Sequence, residues 1–424
     1  MRYPILIGLI LIAAVVLCGC MSSAPENPGS NTGSSAGPDM IQVDGILDLT
    51  GVGSSLGESS KAALLTAQDD INQYYSEIGS PTRVQVVIHD AMSDPSTALA
   101  LTEQVHATGR KFVIGYLGSA EVSEIKGYTD ANGMLAISSG STAPSLAIPG
   151  DSVYRMISDD SAQGAFMAAY LDSENVRAVI PLFRGDVWGD SLSNLTLSAF
   201  SARGGTALEG VRYDPGTTDY NSAVASLDVL TGAAIAEYGV DSVGIYAVTF
   251  NEIGDIMGAA AKTTNLSRVR WFGSDGNTLD PSLTGTTPPA RFAASVNMTG
   301  MIWGIPIADR NSSVVTRITD RLGRMPDGSA VALYDTLWVV MQVREQAPAD
   351  GSQSQLARAL VHTLDTYNGA SGDLTVNAAG DRELASYDIV EVITGPSGSE
   401  WRNIAQIRKA PSGTGEEIIL YPQS

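Results

Sequence analysis

Residues 112–142 read FVIGYLGSAEVSEIKGYTDANGMLAISSGST. The apolar run 112–117 has the character of a buried strand. Gly118-Ser119 ends it, and Ser119 is expected to N-cap the helix that follows. A second apolar run, 134–137, stops at Ser138-Ser139-Gly140-Ser141-Thr142. If both strands belong to one parallel sheet, both polar turns lie at carboxyl ends of neighbouring strands, where open α/β sheets bind ligands. Free backbone N–H groups and hydroxyls at such a place suit a small anion such as a carboxylate. Two ordinary capped turns would read the same way, so the surrounding chain has to decide.

On the N-terminal side the pattern alternates in the same manner. Residues 41–48 read as a strand, 58–78 as a helix with apolar residues at helical spacing, and 84–89 as a second strand. Asp94-Pro95 opens the next helix, Asp as cap and Pro at the first helical position. A short strand at 153–157 completes one doubly wound layer. The programme then repeats. Helices are expected at 161–170, 187–203 and 218–238, with another ending near 263. Strands are expected at 176–183, 207–213, 243–248, 269–272 and 292–298. Two like layers in tandem imply two α/β lobes of doubly wound parallel sheet with a cleft between them.

The tail supplies helices at 312–322, 328–346 and 353–367, then a late antiparallel block of short strands at 374–376, 387–394, 403–408 and 417–420. Shared between the lobes, these elements require crossings near 158–161, 298–304 and 369–374, and several short crossings make a hinge. The expected division is lobe 1 at 41–158 plus about 300–371, and lobe 2 at 159–299 plus about 372–424.

The N-terminus reads as an address. Arg2 precedes the apolar run 5–17, which is shorter than the ~20 residues a spanning helix needs. The run ends in Leu17-Cys18-Gly19-Cys20, like a lipoprotein signal cut after residue 19, with lipid on Cys20. Residues 21–38 are polar, rich in Ser, Gly and Pro, and make a flexible tether within residues 20–40. Both cysteines lie in the signal, so no disulfide or thiol chemistry is expected beyond it. The sequons at Asn194, Asn265, Asn297 and Asn311 suit an exported chain without proving modification. With 25 Lys+Arg against 46 Asp+Glu and no basic run, a nucleic-acid partner is not expected.

Three chemistries fit poorly. Gly51, Gly53 and Gly57 mimic a dinucleotide loop, but Asp90 lies about 40 residues on, where the fingerprint wants about 20. Gly53-Ser54-Ser55-Leu56-Gly57 matches GxSxG, which would make Ser55 a hydrolase nucleophile with His362 as base. That elbow normally follows several strands, and His362 sits inside an amphipathic helix. The three histidines have no ligand spacing, so neither metal nor cofactor is expected.

Three stretches together carry a resemblance: ILDLTGVGSSLGESSKAALLTAQDDIN at 46–72, the opening 112–142, and GASGDLTVNAAGDRELASYDI at 369–389. In this order they resemble the branched-chain amino-acid-binding proteins, type I periplasmic binding proteins of ABC importers, over residues 41–410. The resemblance implies two lobes joined by three crossings and no enzyme activity. Ser119 matches a serine that binds the ligand carboxylate. Ser141 matches a position offering its carbonyl to the ammonium, and Thr142 one offering hydroxyl and N–H to the carboxylate. Asp275 falls where the family places an acid against the α-ammonium, and Trp188 where an aromatic closes over the ligand. The resemblance also shows departures: the family's first-loop tyrosine is replaced near Leu56, Phe250 stands where a tyrosine hydroxyl is expected, and the family disulfide is absent. Leu56, Trp188 and Phe250 imply an apolar or aromatic-tolerant side-chain pocket.

The expectation is therefore a monomeric, lipid-anchored, extracytoplasmic solute-binding protein that hands a small amino acid or amide to an ABC permease. An extracellular sensing domain of the same fold is the alternative.

Overall fold

The computed structural model describes residues 39–307, 309–348, 351–409 and 416–421. The signal, Cys20 and nearly all of the tether lie outside these residues. No helix among the described residues is long and apolar enough to cross a membrane.

Five strands, β1 (Asp39–Leu47), β2 (Thr82–Asp90), β3 (Phe112–Gly115), β4 (Leu135–Ser138) and β5 (Val153–Arg155), pair in parallel in the order β2-β1-β3-β4-β5. Strand β4 is buried throughout and β3 nearly so, as their unbroken apolar runs require of a sheet covered on both faces. The strand order turns back between β1 and β3, so their carboxyl ends flank a crevice. The crossovers are α1 (Ser54–Glu77), α2 (Pro95–Ala107) and α3 (Ser119–Asn132). Val122 and Ile125 of α3 and Val105 of α2 pack on one face of this sheet. Leu64 and Ile71 of α1 pack on the other.

The second lobe begins with α4 (Asp160–Ser173), β6 (Ala178–Arg184), α5 (Val187–Ala202), β7 (Thr206–Ala207), β8 (Val211–Tyr213), α6 (Asn221–Tyr238), β9 (Val243–Val248), α7 (Ile253–Ala260), β10 (Arg270–Gly273), α8 (Pro288–Ser295) and β11 (Thr299–Trp303). Helices α9 (Ser313–Leu322), α10 (Gly328–Gln346) and α11 (Gln353–Leu364) then return to the first lobe, where Ile318, Leu337 and Leu360 join the core of α1. The small ladder β12 (Asn368–Gly369) with β13 (Gly372–Asp373) precedes β14 (Ser386–Gly395), β15 (Gly398–Lys409) and β16 (Glu416–Leu420). The second sheet runs β16-β15-β14-β11-β10-β9-β6-β7, with β8 also on β6. The chain passes between the two sheets three times: after β5, after β11 and before β14.

The fold class holds, with corrections of detail. The second sheet is mixed, because β14, β15 and β16 run antiparallel. The expected strand at 292–298 is largely helix: Thr287 accepts the Ala290 N–H and Pro288 fills the first helical position, so α8 ends only at Ser295. The expected strand at 207–213 is broken into β7 and β8. Strand β11 pairs with β10, so we place the second crossing after Trp303, within the expected 298–304. Leu374 and Val376 pack in the first core, and the Arg382 N–H donates to the Arg155 carbonyl, which holds the chain on lobe 1 beyond residue 371. On this packing we assign lobe 2's last segment to start close to β14.

Candidate functional site

The site is built where β3 leaves the sheet. Gly115 has φ 114° and Tyr116 φ 48°, so the chain turns sharply through two left-handed residues. A Cβ on Gly115 would lie 2.2 Å from the Ile46 carbonyl oxygen, which reserves the position for glycine. Tyr116 is held there by its buried hydroxyl, 2.7 Å from Thr102 Oγ1, and by its N–H to the Ile46 carbonyl at 2.8 Å. The turn delivers Gly118 as the N-cap of α3 and Ser119 as its first helical residue. Ser119 is thus not the cap. Its hydroxyl faces the β4 turn and accepts the N–H groups of Thr142 and Ala143 at 3.1 Å each, and the Ser141 hydroxyl at 3.1 Å.

The β4 turn is braced by Ser138, whose hydroxyl donates to the Tyr116 carbonyl at 2.7 Å and accepts the Ser141 N–H at 2.9 Å. A Cβ on Gly140 would stand 2.7 Å from the Leu117 carbonyl oxygen, so glycine lets the two turns touch. Ser141 and Thr142 are wholly buried. The Thr142 N–H already serves Ser119, whereas the Thr142 hydroxyl has no hydrogen-bond partner.

From the second lobe, Asp186 caps α5 by accepting the N–H groups of Trp188 and Gly189 at 3.2 and 2.9 Å. That cap aims Trp188 at Phe250, and the rings stack with centroids 4.4 Å apart at 22°. The Arg184 guanidinium lies 5.6 Å from the Phe250 centroid and pairs with Asp186 and Glu252. Between the lobes is a small cavity of about 40 Å³. Leu56, Ser119 and the Asp48–Glu121 pair line it from lobe 1, and Arg184, Trp188 and Phe250 from lobe 2. Burial pushes the Glu121 carboxyl well above the carboxylate range, and Asp48 beside it raises it further. Burial raises Asp48 too, partly offset by the neighbouring Glu121 carboxyl. The lobes touch beside the cavity, where the Asn251 N–H donates to the Val52 carbonyl at 3.0 Å.

Asp275 does not line that cavity. It follows β10, is 2% exposed, and accepts from Gln163 Nε2 at 3.0 Å. Burial pushes its carboxyl up to about 7, against the lowering by Gln163 and by the backbone N–H of Gly276. Its neighbour is Asp160, the first residue of α4, wholly buried and with neither carboxylate oxygen hydrogen-bonded. Burial raises Asp160 well above the usual range, and the Asp275 charge adds to the rise. The Asp160 N–H donates to the Thr142 carbonyl at 2.9 Å, and the Thr142 hydroxyl is near enough to lower the carboxyl's pKa without closing a bond. Tyr246 and Tyr387 are both raised by burial and then by these two acids.

Ser119, Ser141 and Thr142 thus form one bonded turn, Leu56, Trp188 and Phe250 wall a cavity beside it, and Asp275 reaches the turn through Asp160. Sequence reading missed Asp160, Gln163 and the Asp48–Glu121 pair. A signal existed for one: in Asp159-Asp160, a single acid is enough to cap α4, and Asp159 does so by accepting the Ser161 N–H at 2.9 Å. The other sites dissolve into structure. Asp90 accepts the N–H groups of Leu49, Thr50 and Met92. Ser55 is bonded to Arg324, and His362 is exposed on α11. No group of His, Cys, Asp and Glu among the described residues could hold a metal ion.

Two α/β lobes, three crossings between them and a cavity where they meet define a protein of the type I periplasmic binding class. The receptor family ligand binding region matches residues 59–395, and the chain belongs to that family. It is 27% identical over 338 residues to an uncharacterized protein of Methanocaldococcus jannaschii, covering 78% of each chain. It is 21% identical over 360 residues to the leucine-, isoleucine-, valine-, threonine- and alanine-binding protein of Pseudomonas aeruginosa, covering 83% of this chain and 90% of that one. In fold it is similar to a leucine binding protein from Thermotoga maritima, with TM-score 0.67 and 20% identity over 85% of this chain and 97% of that one. A solute binding protein from R. palustris in complex with 4-hydroxybenzoate is similar at TM-score 0.69 and 14% identity, covering 87% and 97%.

Proposed function

We propose that the chain is an extracytoplasmic solute-binding lipoprotein that captures a small apolar amino acid between its lobes and delivers it to an ABC permease. One observation carries the ligand class. Asp160 and Asp275 are buried together, both oxygens of Asp160 lack a partner, and the Thr142 hydroxyl beside them is free. Buried carboxylates need a cation or they neutralise. An α-ammonium placed between these acids, with its carboxylate toward Ser119 and the Thr142 hydroxyl, satisfies both ends of a zwitterion. The side chain then points to Leu56, Trp188 and Phe250. The chemistry is binding and hinge closure, with no bond made or broken.

The stacked Trp188–Phe250 wall favours a second reading, an aromatic carboxylate, as in the R. palustris complex. That ligand would leave Asp160 and Asp275 without a counter-ion, which ranks it below the amino acid. Titration calorimetry with leucine, isoleucine, valine, alanine and benzoate separates the two. Heat with benzoate alone selects the aromatic acid, and no heat with any amino acid rejects the zwitterion site. Anchoring rests on Cys20 and has its own test: Cys20→Ala should move the protein from the membrane fraction to the supernatant, and its retention in the membrane would refute the lipid anchor.

A further inference from the structure

Arg155 ends β5 and is wholly buried, yet it does not line the ligand cavity. Its guanidinium is shared between two parts of the chain. Nε and Nη2 donate to Asp381 Oδ1 and Oδ2 at 2.5 and 2.6 Å. Nη1 donates to the Ala143 carbonyl at 2.8 Å and to the Ser141 carbonyl at 3.4 Å. Asp381 belongs to the third crossing, which is also stitched to β5 through the backbone: the Arg155 N–H donates to the Gly380 carbonyl and the Arg382 N–H to the Arg155 carbonyl, each at 2.9 Å.

A guanidinium is planar, so two carboxylate bonds on one edge fix where its remaining N–H groups point. We infer that Arg155 is a positioning residue: held by Asp381 in the hinge, it pins the 138–143 turn by the carbonyls of Ser141 and Ala143. The Thr142 hydroxyl, and the N–H groups that Ser119 receives, are thereby kept in place. The inference rests on the reading that this turn holds the ligand. Stability alone is a weak reason for such a pair, since desolvating two charges offsets much of their attraction. The two carbonyl bonds are what a purely stabilising pair would not need.

Arg155→Lys tests it, because lysine keeps the charge opposite Asp381 and loses the second arm. Calorimetry with L-leucine on the full chain should show at least a tenfold weaker Kd for Arg155→Lys, with the unliganded melting transition still cooperative. Thr142→Ala should also bind more weakly, and the double variant should be no weaker than about the worse single one, because both act on one turn. A merely structural role would make the two losses multiply. Where Arg155→Lys fails to fold, Asp381→Asn, which loosens the grip on the guanidinium, carries the same cycle. Wild-type affinity in the hinge variant, or multiplying losses, overturns the inference. Wild-type affinity in Thr142→Ala, or no binding of L-leucine by the unaltered chain, overturns the ligand reading and this inference with it.

Discussion

Replacing Asp275 by Asn should strengthen the unliganded protein while weakening the ligand complex. Asp275 is buried, and burial raises its pKa to about 7. In the unfolded chain an aspartate titrates near 3.9. Below about pH 4 the group is protonated in both states and costs nothing. As pH rises from about 4 to about 7, the unfolded chain releases the proton and the folded chain retains it, so folding loses about 1.4 kcal/mol per pH unit. Above about 7 the cost levels off, at up to about 4 kcal/mol. Asparagine is isosteric, can still accept from Gln163, and has no charge to desolvate. Asp275→Asn should therefore melt higher than the unaltered chain at pH 8, by a few degrees, and equally at pH 4. Binding should move the other way. The ammonium loses a charged partner, a loss of about 2 kcal/mol or more, which is roughly thirtyfold or more in Kd. Thermal melts at pH 4 and pH 8 and calorimetry at pH 8 read both effects. A variant no more stable at pH 8, or one that binds L-leucine unchanged, would refute the placement of Asp275 beside the ammonium.

Three further outcomes follow from the same contacts. L-leucine affinity should rise about fivefold between pH 6 and pH 7 and flatten near pH 8, as the raised Asp275 carboxyl ionises; a flat profile from pH 5 to 8 in calorimetry argues against it. Ser119→Ala strands the Thr142 and Ala143 N–H groups and should cost about 2–4 kcal/mol, seen as a lower urea midpoint with an unchanged slope. Gly57→Ala puts a Cβ 1.8 Å from the Asp48 carbonyl oxygen, where backbone must move, and should cost about 3 kcal/mol; an unaltered denaturant midpoint would show that α1 shifts freely.

Most of the architecture was legible because it is periodic. Alternating apolar runs and helical spacings mark β1 to β5 and their crossovers, and Asp94-Pro95 opens α2 as read. The error at 292–298 came from reading apolar residues without the Thr287-Pro288-Pro289 start signal that precedes them. The antiparallel end of the second sheet was legible as short strands, but not as neighbours of β11, since pairing partners are a long-range property.

By itself the sequence determined that two polar turns follow two buried strands, and that glycine stands at 118 and 140, because composition and spacing act locally. Only the tertiary structure decided what those turns do. Ser119 looked like a helix cap and is the acceptor that joins the turns, because Gly118 has taken the cap. Asp160 looked like half of a capping pair and is a buried, unpartnered acid beside Asp275, because α4 starts at the crossing where the lobes meet. Burial and apposition change the charge state and partners of a side chain, and both arise from contacts between segments remote in the chain.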